Sequence, residues 1–244
     1  MALSRATIFT IILLVTGFTT LRAEVPNVDT IDTPTAVTLP RASWNVGIWG
    51  YNNGGLLTKA IIGLHDNIYL GASFDVESAI GDKSAKLNIP GVLAKIKLTD
   101  GWVDNPLLLA IGYDAFYSGN SGKIANSDNP FDRVIYGPYF AMTRPLFIGG
   151  YQQNLHIGIR TPIQPVYVPE NTSMWVGIDF PIGFFVPMLE VERIYFDSNR
   201  MSEVLANVGF KFNIFESLSI EVDVMMAKGQ IPNRMIIVEY MDSF

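Results

Sequence analysis

Charged side chains that can form ion pairs or transfer protons recur at alternate positions along this 244-residue chain, not in a single motif. Most of them share one face of an extended backbone within their segment, while apolar residues occupy the other face. Such a face can line a polar passage, or it can close that passage through ion pairs. The residues predicted to line a lumen are Lys59, Asp75, Glu77, Lys95, Lys97, Asp114, Arg133, Arg160, Asp179, Glu190, Glu192, Lys211, Glu221, Asp223 and Glu239.

The two histidines are the candidates for a general base. His156 shares the polar face with Asn154 and Arg160, whereas His65 falls at a predicted turn. An enzyme that modifies membrane lipid would need a base on the lipid side with a serine beside it, and neither histidine meets that requirement. The chain has no cysteine, and its carboxylates lack the spacing of a calcium loop. We therefore predict no catalytic residue, no metal site and no cofactor.

The composition excludes several classes of protein. Charged residues make up 16% of the chain and hydrophobic residues 49%, with a net charge of -6. Soluble domains carry roughly 25% charged residues, so this chain has too few charges to cover an ordinary surface. The acidic balance also predicts no nucleic-acid partner.

The N-terminus is predicted to direct the chain out of the cytoplasm. Residues 1–23 combine Arg5 with a short apolar run and are typical of a signal peptide. Residues 24–42, which are rich in Pro and Thr, are interpreted as an extended leader without a fold of its own. Later apolar segments are too short to cross a membrane as helices.

From residue 43 to 244 the apolar residues recur with a period of two, which predicts β-strands. We predict an antiparallel transmembrane β-barrel of about 12 strands, with 10 or 14 as alternatives. A soluble secreted β-sandwich that binds a ligand shows the same alternation and stays open as a second interpretation. The predicted strands are 43–51, 56–65, 68–77, 91–98, 106–117, 132–142, 152–160, 173–181, 183–193, 203–212, 217–226 and 234–241.

The lengths of the connections favour the barrel. Short turns alternate with longer polar loops along the chain, and aromatic residues gather near strand ends. Outer-membrane barrels have short periplasmic turns, long external loops and aromatic girdles. We therefore predict a bacterial outer-membrane location, periplasmic termini and membrane lipid as a partner.

The last strand carries a further signal. Ile236, Val238 and Tyr240 alternate ahead of the terminal Phe244. This pattern resembles the C-terminal signal that the barrel-assembly machinery recognises, which makes that machinery a predicted partner. Asp242 departs from the pattern, because the alternation would place an apolar residue there.

The charges on the polar face alternate in sign between neighbouring strands. This order predicts ion pairs of Lys59 with Asp75, of Lys97 with Asp114, and of Lys211 with Glu221. The face is then either a selective lining for a hydrophilic solute or a salt-bridged plug in a narrow barrel. The sequence leaves these two alternatives open.

Several short sequence motifs together resemble those of the bacterial YjbH-type outer-membrane proteins. The motifs are Asp32-Thr-Pro-Thr-Ala36, Tyr51-Asn-Asn-Gly-Gly55, the segment from Gly63 to Val76, Ala110-Ile-Gly-Tyr-Asp114, and Glu190-Val-Glu192 followed by a final strand that begins at Arg234. The resemblance implies an outer-membrane barrel that serves exopolysaccharide production or export, and it supplies no catalytic residues.

The expected function is therefore non-enzymatic. One form is a channel for small hydrophilic solutes or oligosaccharides, and the other is an envelope component that supports polysaccharide export. Polysaccharide and small solutes are the corresponding candidate partners. A soluble ligand-binding protein and an outer-membrane lipid-modifying enzyme are the alternatives.

Overall fold

A computed structural model describes residues 26–102, 105–118, 131, 133–163, 167–196 and 203–244. The predicted signal peptide and the first two residues of the leader lie outside this range. Among the described residues, no helix has the length and apolar character needed to cross a membrane.

The described chain is almost entirely β-structure. Two short 3₁₀ turns, Asn52–Gly54 and Pro169–Asn171, lie between strands. The strands are β1 Ser43–Tyr51, β2 Gly55–His65, β3 Ile68–Glu77, β4 Lys86–Leu87, β5 Gly91–Trp102, β6 Asn105–Ser118, β7 Arg133–Ile148, β8 Tyr151–Arg160, β9 Ser173–Asp179, β10 Phe185–Tyr195, β11 Leu205–Asn213, β12 Leu218–Ala227 and β13 Asn233–Ser243.

The long strands close into a ring. β1 pairs antiparallel with β2 on one side and with β13 on the other, and the chain of neighbours from β13 leads back through β3 to β2. The two-residue β4 only extends the edge of β3. Within the described residues, the ring is a closed antiparallel barrel of twelve strands, which confirms the predicted fold class.

The two ends of the barrel differ in their connections. At one end the links are short, such as residues 66–67 between β2 and β3 and residues 149–150 between β7 and β8. At the other end the connections are longer, because residues 78–90 separate β3 from β5 and residues 161–172 separate β8 from β9 in the chain. Ser43 pairs with Ser243, so the start of β1 and the end of β13 both lie at the short-turn end.

The largest boundary difference from prediction is in β7, which was expected to end at residue 142. The sequence pattern predicts one of the short connections in the stretch around residues 144–151. In the structure Pro145 pairs with Asn154, and β7 continues to Ile148. The turn falls at Gly149 and Gly150, whose φ angles of 62° and 85° suit a two-residue hairpin.

The two faces of each strand have opposite character. In β2, Lys59 and Ile61 are buried inside the ring, while Ile62 and Leu64 are exposed outside it. The same alternation continues around the ring, so that large apolar side chains cover the exterior. Charges inside and apolar groups outside are the inverse of a soluble β-sandwich, which excludes that interpretation.

Candidate functional site: a charged lumen filled by the N-terminal segment

Residues 26–40, here called the plug segment, lie inside the barrel up to Leu39, and Pro40 is exposed at its end. Ile31, Ala36 and Leu39 are at most 1% exposed, although the segment belongs to no strand of the ring. Val28, Ile31 and Leu39 join the same buried cluster as the interior side chains Trp49 and Tyr69. The leader that the sequence left without a fold therefore fills the lumen.

The plug segment has a compact local structure. Asp29 and Pro34 form an antiparallel bridge, and the Thr30 amide donates to the Thr33 carbonyl at 2.8 Å. The Thr35 hydroxyl donates to the Asn27 carbonyl at 2.7 Å. This tight loop points three successive amide groups, those of residues 31–33, in one direction.

A carboxylate of the barrel wall accepts all three of these amides. Glu190 Oε2 lies 3.2 Å from the Ile31 nitrogen, 3.4 Å from the Asp32 nitrogen and 3.2 Å from the Thr33 nitrogen. It also accepts the Thr33 hydroxyl. Asn207 Nδ2 donates to Glu190 Oε1 at 2.8 Å and holds the carboxylate in place. Successive amides that converge on one oxygen form an anion-binding nest.

Glu190 belongs to a group of buried carboxylates that we call the acidic wall. These residues lie on β10, β12 and β13, with Lys211 of β11 among them. Lys211 Nζ bonds Glu239 Oε2 at 2.8 Å and Asn27 Oδ1 of the plug segment at 2.9 Å. The acidic wall consists of Glu190, Glu192, Glu221, Asp223 and Glu239.

Three cations on the other side of the lumen form what we call the basic wall: Lys59, Lys95 and Arg160. Lys59 Nζ lies 2.9 Å from Asp29 Oδ2 of the plug segment. Lys95, which is 0% exposed, donates to the Val28 carbonyl at 2.9 Å and to the Val37 carbonyl at 3.1 Å. A single lysine thus holds two points of the plug segment that are nine residues apart in the chain.

Aromatic rings position the basic wall. Lys59 Nζ lies 4.6 Å from the centre of the Trp49 ring and 4.3 Å from that of Phe116. Arg160 lies 5.4 Å from the Trp175 ring and pairs with Asp114 Oδ2 at 3.2 Å. Cation–π contacts of this kind strengthen when the site is removed from water.

A hydrogen-bond chain joins the wall to the middle of the plug segment. Asp179 Oδ2 lies 3.0 Å from His156 Nε2, and His156 Nδ1 lies 2.9 Å from Thr143 Oγ1. Thr143 Oγ1 accepts the Ala36 amide at 2.9 Å. With Nε2 as donor and Nδ1 as acceptor, His156 satisfies every member of this chain. All these side chains are buried in the lumen, so His156 has no access to lipid and serves as a fastening for the plug segment.

Glycines on the inner face make room for the plug segment. A Cβ atom at Gly177 would lie 3.4 Å from the Thr30 Cβ, and one at Gly209 would lie 2.9 Å from an Ile31 side-chain carbon. At the short-turn end, Ala42 has a φ of 60°, a rare value for alanine that turns the chain from the lumen into β1. The Arg41 amide donates to Asp66 Oδ1 at 2.8 Å at this point.

Most of the charged residues predicted to line the lumen are buried inside the ring. Glu77 and Lys97 are half-buried, and the side chain of Arg133 lies outside the described residues. The buried ones are Lys59, Asp75, Lys95, Asp114, Arg160, Asp179, Glu190, Glu192, Lys211, Glu221, Asp223 and Glu239.

The predicted pairing of Lys59 with Asp75 is wrong. Register places Ser73 opposite Lys59, so Asp75 lies two residues further along β3. The Lys59 ammonium instead bonds Asp29 of the plug segment. Asp75 accepts from Tyr51 and Asn88.

The predicted pairing of Lys97 with Asp114 is wrong for a similar reason. Lys97 lies opposite Ala110, which leaves Asp114 four residues, or about 13 Å, along β6. Lys97 pairs with the exposed Asp100 at 2.8 Å.

The third predicted pair has the correct register, and the Lys211 charge acts on Glu221 electrostatically. Lys211 lies opposite Glu221, yet its ammonium bonds Glu239 and Asn27. Glu221 Oε1 and both oxygens of Asp223 have no hydrogen-bond donor among the described residues. No group of three His, Cys, Asp or Glu side chains in the described part of the chain is arranged to hold a metal ion.

Sequence reasoning missed the residues of the plug segment that contact the walls, chiefly Asp29 and Thr33. A signal was present, because Gly177 and Gly209 occupy inward positions on nearby strands where a narrow barrel would place larger side chains. Such gaps indicate that something else fills the lumen.

The residues of the predicted assembly signal lie on the outside. Ile236, Val238 and Tyr240 are exposed on β13, and Phe244 follows its end. Recognition by the assembly machinery stays a prediction.

Comparison with solved structures finds the same architecture. The chain matches a KdgM porin with a TM-score of 0.52 and 13% identity, over 83% of this chain and 99% of the porin. It matches a KdgM porin in complex with disordered oligogalacturonate with a TM-score of 0.53 and 14% identity, over the same shares. The outer membrane protein Omp33 of Acinetobacter baumannii matches with a TM-score of 0.45 and 7% identity, over 83% of this chain and 97% of that protein.

Sequence comparison with known protein families and with curated proteins yields no match. The YjbH-type resemblance is therefore still a prediction from short motifs. The closed ring, its apolar exterior and the likeness to the KdgM porins together define an outer-membrane type of β-barrel.

Proposed function

We propose that this protein is an outer-membrane channel for hydrophilic solutes of oligosaccharide size, closed in this state by its own plug segment. The observation that carries the proposal is the nature of the lumen contacts. Charged side chains of the barrel wall form hydrogen bonds with a separate segment of the chain. A barrel that is closed for stability alone can fill its interior with side chains of its own wall.

The geometry at the short-turn end supports a segment that can leave the lumen. The plug segment is continuous with β1 at the end where the short turns lie, which in this class of barrel faces the periplasm. Its withdrawal toward that side would break no strand pairing of the ring, because its one bridge lies within the segment itself.

Two further observations support the class of solute and the absence of catalysis. One of the similar porins is in complex with an oligogalacturonate. This complex supports oligosaccharides as the size class of solute for a barrel of this fold. The histidine that could act as a base, His156, is enclosed in the lumen and bonded on both ring nitrogens. A role in polysaccharide export, which the YjbH-type resemblance implies, stays a prediction.

Single-channel recording in planar bilayers tests the proposal. We expect brief openings of the wild-type protein and a higher open probability in Glu190→Ala, which loses the acceptor of three plug-segment amides. Glu216→Ala, in the exposed turn between β11 and β12, is the matched control and should behave as wild type. Correctly folded protein that stays silent in both the wild type and Glu190→Ala would overturn the channel proposal.

A further inference from the structure

We propose that the lumen contains a binding site for a carboxylate on an extended hydrophilic solute, and that Asp29 occupies this site when the channel is closed. The inference rests on the proposed channel function and identifies the class of solute. In this view the plug segment is an internal stand-in for the solute.

The site around Asp29 is built for an anion. Lys59 contacts the carboxylate at 2.9 Å, and the rings of Trp49 and Phe116 fix the position of the ammonium group. Lys95 and Arg160 also act on Asp29 electrostatically. One cation thus contacts this carboxylate, and two others act on it at longer range.

The charge balance of the site depends on the plug segment. With Asp29 present, the three cations of the basic wall face two nearby carboxylates, Asp29 and Asp114. Withdrawal of the plug segment would leave Asp114 as their counter-charge within this cluster. Buried cations without partners are costly, so the vacated site would favour an anionic group from the solute.

A second contact point lies a few residues further along the plug segment. Glu190 accepts amide and hydroxyl donors from residues 31–33, two to four positions after Asp29. A solute that carries a carboxylate on one unit and hydroxyl or amide donors on the next could satisfy both points. An acidic oligosaccharide meets this description, whereas a neutral one lacks the carboxylate and a basic peptide lacks the right charge.

Tryptophan fluorescence offers a direct readout of binding, because Trp49 and Trp175 both lie beside cations of this site. Trigalacturonate is the acidic probe, and maltotriose is the uncharged probe of equal length. Each is titrated into the detergent-solubilised full-length wild type, Asp29→Asn and the Asp29→Asn/Lys59→Gln double variant. Asp82→Asn, in an exposed loop, is the matched control.

We expect trigalacturonate to bind Asp29→Asn about tenfold more tightly than wild type, since the competing carboxylate is gone. Lys59→Gln should remove that gain, and maltotriose should bind all variants equally weakly. Equal binding of the two trisaccharides by Asp29→Asn would overturn the site. A gain that survives Lys59→Gln would overturn it as well.

A measurement on the unmodified chain guards against misfolding of the variants. Excess trigalacturonate should displace the plug segment of wild type and speed hydrogen exchange of the amides at 31–33, whereas maltotriose should not. Exchange that is unchanged by both sugars would overturn the inference. Acidic-probe binding in a protein that never conducts would instead contradict the channel proposal and leave this site standing.

Discussion

The basic and acidic walls of the lumen bind the same plug segment through opposite chemistry. The basic wall binds hydrogen-bond acceptors of the plug segment, namely the Asp29 carboxylate and the carbonyls of Val28 and Val37. The acidic wall binds hydrogen-bond donors of the plug segment, because Glu190 accepts the amides of residues 31–33. The segment therefore has one favourable orientation in the lumen, because a rotation about its long axis would present like groups to each other.

The walls also differ in which of their charged groups bond the plug segment. Lys59 and Lys95 each bond an acceptor of the plug segment, and Arg160 pairs with Asp114. On the acidic wall, Glu221 Oε1 and the Asp223 carboxylate have no donor among the described residues. The plug segment thus supplies acceptors to Lys59 and Lys95, whereas Arg160 is balanced by Asp114 of the barrel wall, and Glu221 Oε1 and the Asp223 carboxylate receive no donor from the segment.

The largest expected effect comes from the acidic wall. Glu190→Ala leaves three buried amides and the Thr33 hydroxyl without an acceptor, which should destabilise the plugged state by about 3 to 5 kcal/mol. Hydrogen exchange of the amides at 31–33 is the measurement, with Glu216→Ala as control. Protection as high as in wild type would show that this wall does not hold the segment.

A somewhat smaller effect is expected on the basic wall. Lys95→Met keeps the aliphatic length but removes the donor to two carbonyls, which should destabilise the plug segment by about 2 to 3 kcal/mol. Lys97→Met on the same strand removes a lysine that pairs with the exposed Asp100 and should cost less than about 1 kcal/mol. The free energy of unfolding of each variant is measured by urea unfolding from lipid vesicles. An equal loss of stability in the two variants would contradict the special role of Lys95.

The smallest effect concerns the fastening between the walls. Thr143→Val removes the acceptor of the Ala36 amide and the hydroxyl donor to His156, at a cost of about 1 to 2 kcal/mol. The nitrogen chemical shifts of His156 should change, because Nδ1 loses its donor. Thr58→Val on the exterior face is the control. Unchanged His156 shifts in Thr143→Val would rule out the proposed hydrogen-bond chain.

The sequence predicted the barrel well because strand alternation is a local signal. In β2 and β3 the two-residue period and the Asp66-Asn67 turn identify both strands, their faces and their pairing. Burial of Lys59 and Asp75 follows directly from parity. The end of β7 was placed too early because the whole stretch around residues 144–151 was interpreted as the connection, whereas the turn is confined to Gly149 and Gly150.

The ion pairs and the plug segment could not be predicted in the same way. Pairing depends on register and on side-chain reach, and Lys97 and Asp114 are separated by a register that alternation does not reveal. The plug segment has no period, because its Thr, Pro and Val residues follow the shape of the lumen and not a regular backbone. Its partners lie far apart along the chain, from Lys59 at 30 positions from Asp29 to Glu190 at 159 positions from Ile31.

A disulfide between the plug segment and the wall tests the central claim most directly. The chain has no native cysteine, and a Cβ at Gly177 would lie 3.4 Å from that of Thr30, close to the separation that disulfides span. Thr30→Cys/Gly177→Cys should give no channel openings when oxidised and should open like wild type after reduction, while each single variant should ignore the redox state. Equal conductance of the oxidised and reduced double variant would contradict the claim that the N-terminal segment closes the lumen.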